Sequence, residues 1–162
     1  MKESSEVLLR AAVLGAATGL RSTIALAALV LRGGDGLPAA LRHPAARPVA
    51  VAASGGELVT DKLPGTGSRL APLSLAGRVT CAGLAAAVLA RAGRQAPVPA
   101  VLVAAAAALA AAKAGHDTRA ALGRRLPDPV VAVAEDALAI GLAAAGSDWP
   151  PQAAAGRASR PS

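Results

Sequence analysis

Four carboxylates and one arginine lie in or beside apolar stretches of this sequence: Glu57, Asp61, Glu135, Asp136 and Arg21. If those stretches cross a bilayer, each charge near the centre costs roughly 2.5–3.5 kcal/mol on insertion scales, so the five require partners. Glu57 and Asp61 are spaced i, i+4 and share one helix face. Glu135 and Asp136 are adjacent and diverge by about 100° around a helix, so they point at different partners. The economical arrangement faces Arg21 toward Glu57 or Glu135, and Arg21 is expected to pair with at least one of the four acids. Two chemistries follow. One is an ion or proton site, or a path for a polar solute. The other is a buried ion pair that fixes helix register and nothing else. Lys62, next to Asp61, joins the candidate set, although Lys62 and Arg78 both suit ordinary cations at helix ends.

No catalytic constellation accompanies these residues. The sequence has no HExxH, no pair of cysteines and no Walker glycine loop. The glycines around Asp35 are too few and too isolated to cradle a phosphate. Cys81, the single cysteine, reads as a small apolar helix residue. His43 and His116 fall in polar connections and read as solvated loop histidines. No metal and no cofactor is implied.

The elements that must hold the charges are apolar runs. Residues 11–31 form the first, long enough to span a bilayer core at about 1.5 Å per residue. Arg10 and Arg32 flank it where they can snorkel. Gly15 and Gly19 give it a GxxxG face for close helix contact. A polar connection follows, in which residues 37–41 suit a short interfacial helix. The second run, residues 48–63, contains Gly55-Gly56 and ends at Pro64, so a broken or short helix is expected. Residues 73–90, 97–115 and 130–146 complete the set, with Trp149 at an expected interface. The spacing thus predicts an all-α membrane bundle of four or five helices over residues 1–149. A tail rich in Pro, Ala, Gly, Arg and Ser, residues 150–162, is expected to be disordered.

Composition agrees with this reading. The 162 residues are 54% hydrophobic, with Trp149 the only aromatic. A soluble core would use bulky rings, whereas Ala and Gly let membrane helices approach closely. The net charge of +7 does not mark a nucleic-acid binder, because the cations are spread between apolar runs and no aromatic rings interleave them. The N-terminus has acids instead of a basic leader, so no removable signal peptide is read. Five crossings would place nine cations on the side of the N-terminus and seven on the other. That split leans toward a cytoplasmic N-terminus in the cell's inner membrane and leaves dual topology open.

Several stretches together resemble a known family. They are Gly19-Leu20-Arg21-Ser22, residues 57–64 (Glu-Leu-Val-Thr-Asp-Lys-Leu-Pro) with Ser68-Arg69-Leu70, Gly77-Arg78, and residues 135–141 (Glu-Asp-Ala-Leu-Ala-Ile-Gly). Over about residues 10 to 146 the chain resembles the bacterial integral-membrane family catalogued as domain of unknown function 4126. The resemblance implies an integral membrane protein and carries no activity with it. The first two runs also resemble the fourth and fifth in plan, each an Ala/Gly-rich helix with an arginine at or after it (Arg21, Arg119) and then a helix with paired acids. Such repeats would have inverted topology, as in many secondary transporters.

Three functional readings follow. The first is a small transporter or channel-like protein whose polar centre is lined by Arg21, Glu57, Asp61, Lys62, Glu135 and Asp136, and whose partners are the bilayer and an ion or small polar solute. The second is a membrane scaffold or partner subunit held together by ion pairs, with a homo-oligomer as one outcome. The third is a membrane-embedded enzyme using Glu57 and Asp61, which lacks a third ligand or a nucleophile.

Overall fold

A computed structural model of the chain describes residues 2–33, 37–60, 71–123 and 125–148. Among the described residues all regular structure is helical, in seven segments: α1 (Lys2–Leu20), α2 (Ile24–Arg32), α3 (Ala39–Arg42), α4 (Ala46–Thr60), α5 (Pro72–Ala92), α6 (Pro97–Leu122) and α7 (Asp128–Ser147). Helices α5, α6 and α7 are each long and apolar enough to cross a membrane. Asp61, Lys62, Trp149 and the tail lie outside the described residues.

The central helix is α1. Its face of Val7, Ala11, Leu14 and Ala17 is fully buried, and it packs most extensively on α6. The expected glycine face explains why. A Cβ on Gly15 would lie 2.3 Å from the carbonyl oxygen of Ala104, and one on Gly19 would lie 2.3 Å from that of Ala108. Only hydrogen at both positions lets the two backbones approach so closely. The pairing of 15 with 104 and 19 with 108 makes α1 and α6 parallel. Helices α5 and α7 run antiparallel to α1. Arg78 meets Gly19 while Gln95, just past α5, meets Ser4; Asp136 meets Arg21 while Asp148 meets Arg10.

The first apolar run is not one continuous span. It breaks at residues 21–23, and the chain then turns back. A straight helix would separate Arg10 from Arg32 by about 33 Å, at 1.5 Å per residue. Instead both reach one residue: Arg10 donates to the Asp148 carbonyl oxygen and Arg32 pairs with the Asp148 carboxylate. Residues 11–31 therefore form a helical hairpin with its tip at Arg21-Ser22-Thr23 and both feet at the same end of the bundle. The described residues thus form seven helical segments where four or five are expected, and residues 11–31 do not form the single span from which five crossings are counted. The start of α1, the α5–α6 turn and the end of α7 all lie at that end, because Ser4 bonds Gln95 and Arg10 bonds Asp148.

Three other elements differ from expectation. Helix α4 runs unbroken through Gly55 and Gly56. Glycine weakens a helix by about 1 kcal/mol per residue, and here Glu57, immediately after the pair, is tied to the hairpin tip. Helix α6 extends to Leu122, so His116 and Arg119 are helical residues rather than loop residues. The short connecting helix appears as α3, with His43 just beyond it, where Nδ1 accepts from the Ala45 amide.

Candidate functional site

Three helices bring charge to the tip of the α1–α2 hairpin. The tip itself follows from local chemistry. Ser and Thr compete for backbone hydrogen bonds and disfavour helix interiors, and Arg21 precedes two of them. A break inside an apolar run leaves the last carbonyls of α1 and the first amides of α2 without helical partners. In a bilayer these groups need replacements.

Each end receives a charge of the matching sign. At the start of α2, Glu57 from α4 accepts from the Ser22 amide through Oε1 at 2.6 Å and from the Thr23 amide through Oε2 at 2.9 Å. The Thr23 hydroxyl also donates to Oε2 at 2.8 Å and lies 3.1 Å from Ser54 Oγ. A carboxylate at a helix N-terminus is favoured by the positive end of the helix dipole. At the end of α1, the Arg78 guanidinium donates to the Gly19 carbonyl oxygen, and its Nε lies 3.4 Å from Ser74 Oγ. A cation at a helix C-terminus is the matching arrangement. Thr18 Oγ1 donates to the Leu14 carbonyl oxygen within α1 at 2.8 Å, which takes up a further buried polar group.

Arg21 lies between these two ends. It is 2% exposed, and its Nε donates to Asp136 Oδ1 of α7 at 2.6 Å while Nη2 pairs with the same oxygen. Arg21, Asp136, Glu57 and Arg78 carry two charges of each sign, so the tip is neutral in sum. That balance is what low-dielectric surroundings require.

The expected pairing of Arg21 thus falls on Asp136, one of its four candidate partners and not one of the two favoured. Glu135 points elsewhere, as the 100° divergence requires, and pairs with Arg119 of α6 at 3.4 Å. Glu57 is at the tip but bonds backbone amides. Asp61 and Lys62 lie outside the described residues. Arg78, read from sequence as an ordinary helix-end cation, is only 3% exposed and caps α1. Its position near the start of an apolar run resembles that of a snorkelling cation, and only the break in α1 reveals the carbonyl it serves. Arg119 is not among the site candidates read from the sequence, because the apolar run before it ends at residue 115, whereas α6 continues to Leu122. The histidines stand apart from the tip contacts. Among the described residues no cluster of three or more His, Cys, Asp or Glu side chains forms.

A cavity of about 630 Å³ lies between α2, α3 and α4. It extends from His43 to Thr23, along walls that include Leu26, Val30, Val49 and Ala53. Thr23 is thus shared between the cavity and the Glu57 carboxylate. No family model, curated protein or solved structure matches the chain.

Proposed function

We propose that this chain is an integral membrane protein of small transporter or channel type, in which the hairpin tip is the polar centre. Three helices long and apolar enough to cross a membrane support the membrane assignment, as does the resemblance to the domain of unknown function 4126 family. The observation that carries the functional reading is the broken run. A continuous helix over residues 11–31 would need a partner for Arg21 alone, yet this chain breaks there and brings Asp136, Glu57 and Arg78 to the break beside Arg21. Discontinuous helices whose ends face charged groups are a recurrent way to build a solute or ion site within a bilayer. The cavity between α2, α3 and α4 reaches Thr23 and is otherwise walled almost wholly by Ala, Leu and Val.

Glu57 is the residue on which this reading turns. Its carboxylate joins α4 to the start of α2, and neutralising it weakens that joint without removing bulk. In proteoliposomes, Glu57→Gln is expected to alter ion or solute flux at least tenfold while the protein remains folded. Absence of flux in the unaltered protein for every ion and solute tested would overturn the reading.

One observation favours the scaffold alternative: the charges at the tip all have partners. Under that alternative the Arg21–Asp136 pair sets register only. Arg21→Met combined with Asp136→Leu would then be neutral or stabilising and leave every activity intact. The expected inverted repeat is not supported, because its equivalent helices α1 and α6 run parallel where inversion would oppose them, and Arg21 and Arg119 do not occupy equivalent breaks. The backbones differ at these points, since α6 continues through Arg119 where the first run breaks.

A further inference from the structure

Helix α1 is a wedge between α6 and α7. Gly15 lies against Ala104 of α6, while its neighbour Leu14 lies against Gly146 of α7. The two flanking helices are consecutive and yet pack only loosely on each other. The wedge ends at Leu20, whereas α6 runs past its contact with Gly19 at Ala108 and continues to Leu122. Beyond the wedge the gap stays open as a second cavity, of about 370 Å³, with Leu20 in its wall.

The lining is aliphatic. Leu122, Leu126, Val130 and Leu138 stand in it, and the last three remain about half exposed, so the groove opens to the outside of the bundle. Its charged members, Arg119 and Glu135, pair with each other at 3.4 Å, so the lining carries no net charge with which to select a charged ligand. Arg119 Nε is shielded, has no hydrogen-bond partner among the described residues and faces the Asp128 carboxylate at 3.9 Å, so an anionic head would meet that acid as well. Apolar cavities stay dry, and a void forfeits dispersion contacts along its walls.

Size then decides between apolar occupants. From Val130 to Leu142 the groove follows about 18 Å of α7, at 1.5 Å per residue. A further helix of that length, about 10 Å across, would displace on the order of 1,400 Å³, far more than the space present. A hydrocarbon chain about 5 Å across would displace on the order of 350 Å³, given carbon contacts near 4 Å.

We infer that this groove holds one acyl chain of a bilayer lipid, whatever the charge of its head group. The chain continues the line of α1 between α6 and α7 and covers their facing leucines and valines. The inference rests on the membrane assignment proposed above, since a bilayer presents such chains to an outward-opening groove.

The test is native mass spectrometry of the purified full chain, washed in detergent and titrated with phosphatidylglycerol or phosphatidylcholine of the same acyl chains. One lipid per chain is expected to be retained, with the two head groups within about twofold of each other. Ala114→Leu on α6 and Ala134→Leu on α7 fill the groove from opposite walls at exposed positions, and each is expected to lower retention at least tenfold. Ala106→Leu, exposed on α6 outside the groove, is expected to leave retention unchanged. Melting temperatures in the same detergent separate loss of the lipid from loss of the fold. No retained lipid, a tenfold preference for either head group, or unchanged retention in either groove variant would overturn the inference. So would a dimer that dissociates in the groove variants, because a second copy of the chain would then fill the gap. Release of the chain from native membranes by alkaline carbonate would instead overturn the membrane assignment itself.

Discussion

Asp136 and Glu135 are neighbours on α7, yet they hold together two regions built in different ways. Asp136 grips Arg21 at 2.6 Å in a core where the arginine is 2% exposed. Glu135 stands 3.4 Å from Arg119, whose side chain is 25% exposed beside an open groove. The same pair of residue types therefore meets two surroundings. At the hairpin tip, α1 is locked against α6 by two glycines, and its broken ends are capped from α4 and α5. At the groove, α6 and α7 diverge and leave a donor without an acceptor. The acids are similarly buried in the two pairs, so the difference lies in the cation: an ion pair is decisive where its arginine is sealed from solvent, and of lesser weight where the arginine is partly exposed.

The sharpest way to break this comparison is to remove each acid in turn. Asp136→Ala leaves Arg21 buried without its carboxylate, and the expected loss is about 3–5 kcal/mol, read as a large fall in melting temperature in detergent or as failure to fold. Close packing at the tip is probed next. Gly19→Val places a Cβ against the Ala108 carbonyl oxygen, and the expected loss is about 1–3 kcal/mol. Equal stability in that variant would mean that α1 and α6 are farther apart than described. The smallest effect belongs to Glu135→Gln, expected at about 1 kcal/mol or less in the same melting assay, because Arg119 retains access to water. A loss as large as that of Asp136→Ala would erase the distinction between the two regions.

Much of the tip was legible from residue types. Apolar runs containing lone charges announce partners, so Arg21, Glu57 and Asp136 could be singled out, and Gly15 with Gly19 marked the face of closest approach. The divergence of adjacent acids correctly separated Glu135 from Asp136. The fold-back was not legible. Residues 11–31 have the length and apolarity of a full span, and only Ser22 and Thr23 hint at a break, a weak signal without Glu57 and Arg78 placed on either side. The continuity of α4 was hidden for the opposite reason: Gly55-Gly56 is a strong local signal for a break, and it is overridden by the anchoring of Glu57 at the tip. Arg119 was obscured because helix ends read from hydropathy stop where charges begin, whereas α6 continues through several of them, and Arg78 because the carbonyl it serves is exposed only by the break in α1.

The hairpin is the central claim, and the sidedness of its two feet tests it most directly. With Cys81→Ser as background, a single cysteine is introduced by Leu9→Cys in one protein and by Leu31→Cys in another; both positions are exposed. Each protein is placed in sealed membrane vesicles of defined orientation and treated with a maleimide that cannot cross the bilayer. Because α2 returns toward the start of α1, the two cysteines are expected to be labelled from the same side. Labelling from opposite sides would restore a continuous span over residues 11–31 and contradict the hairpin.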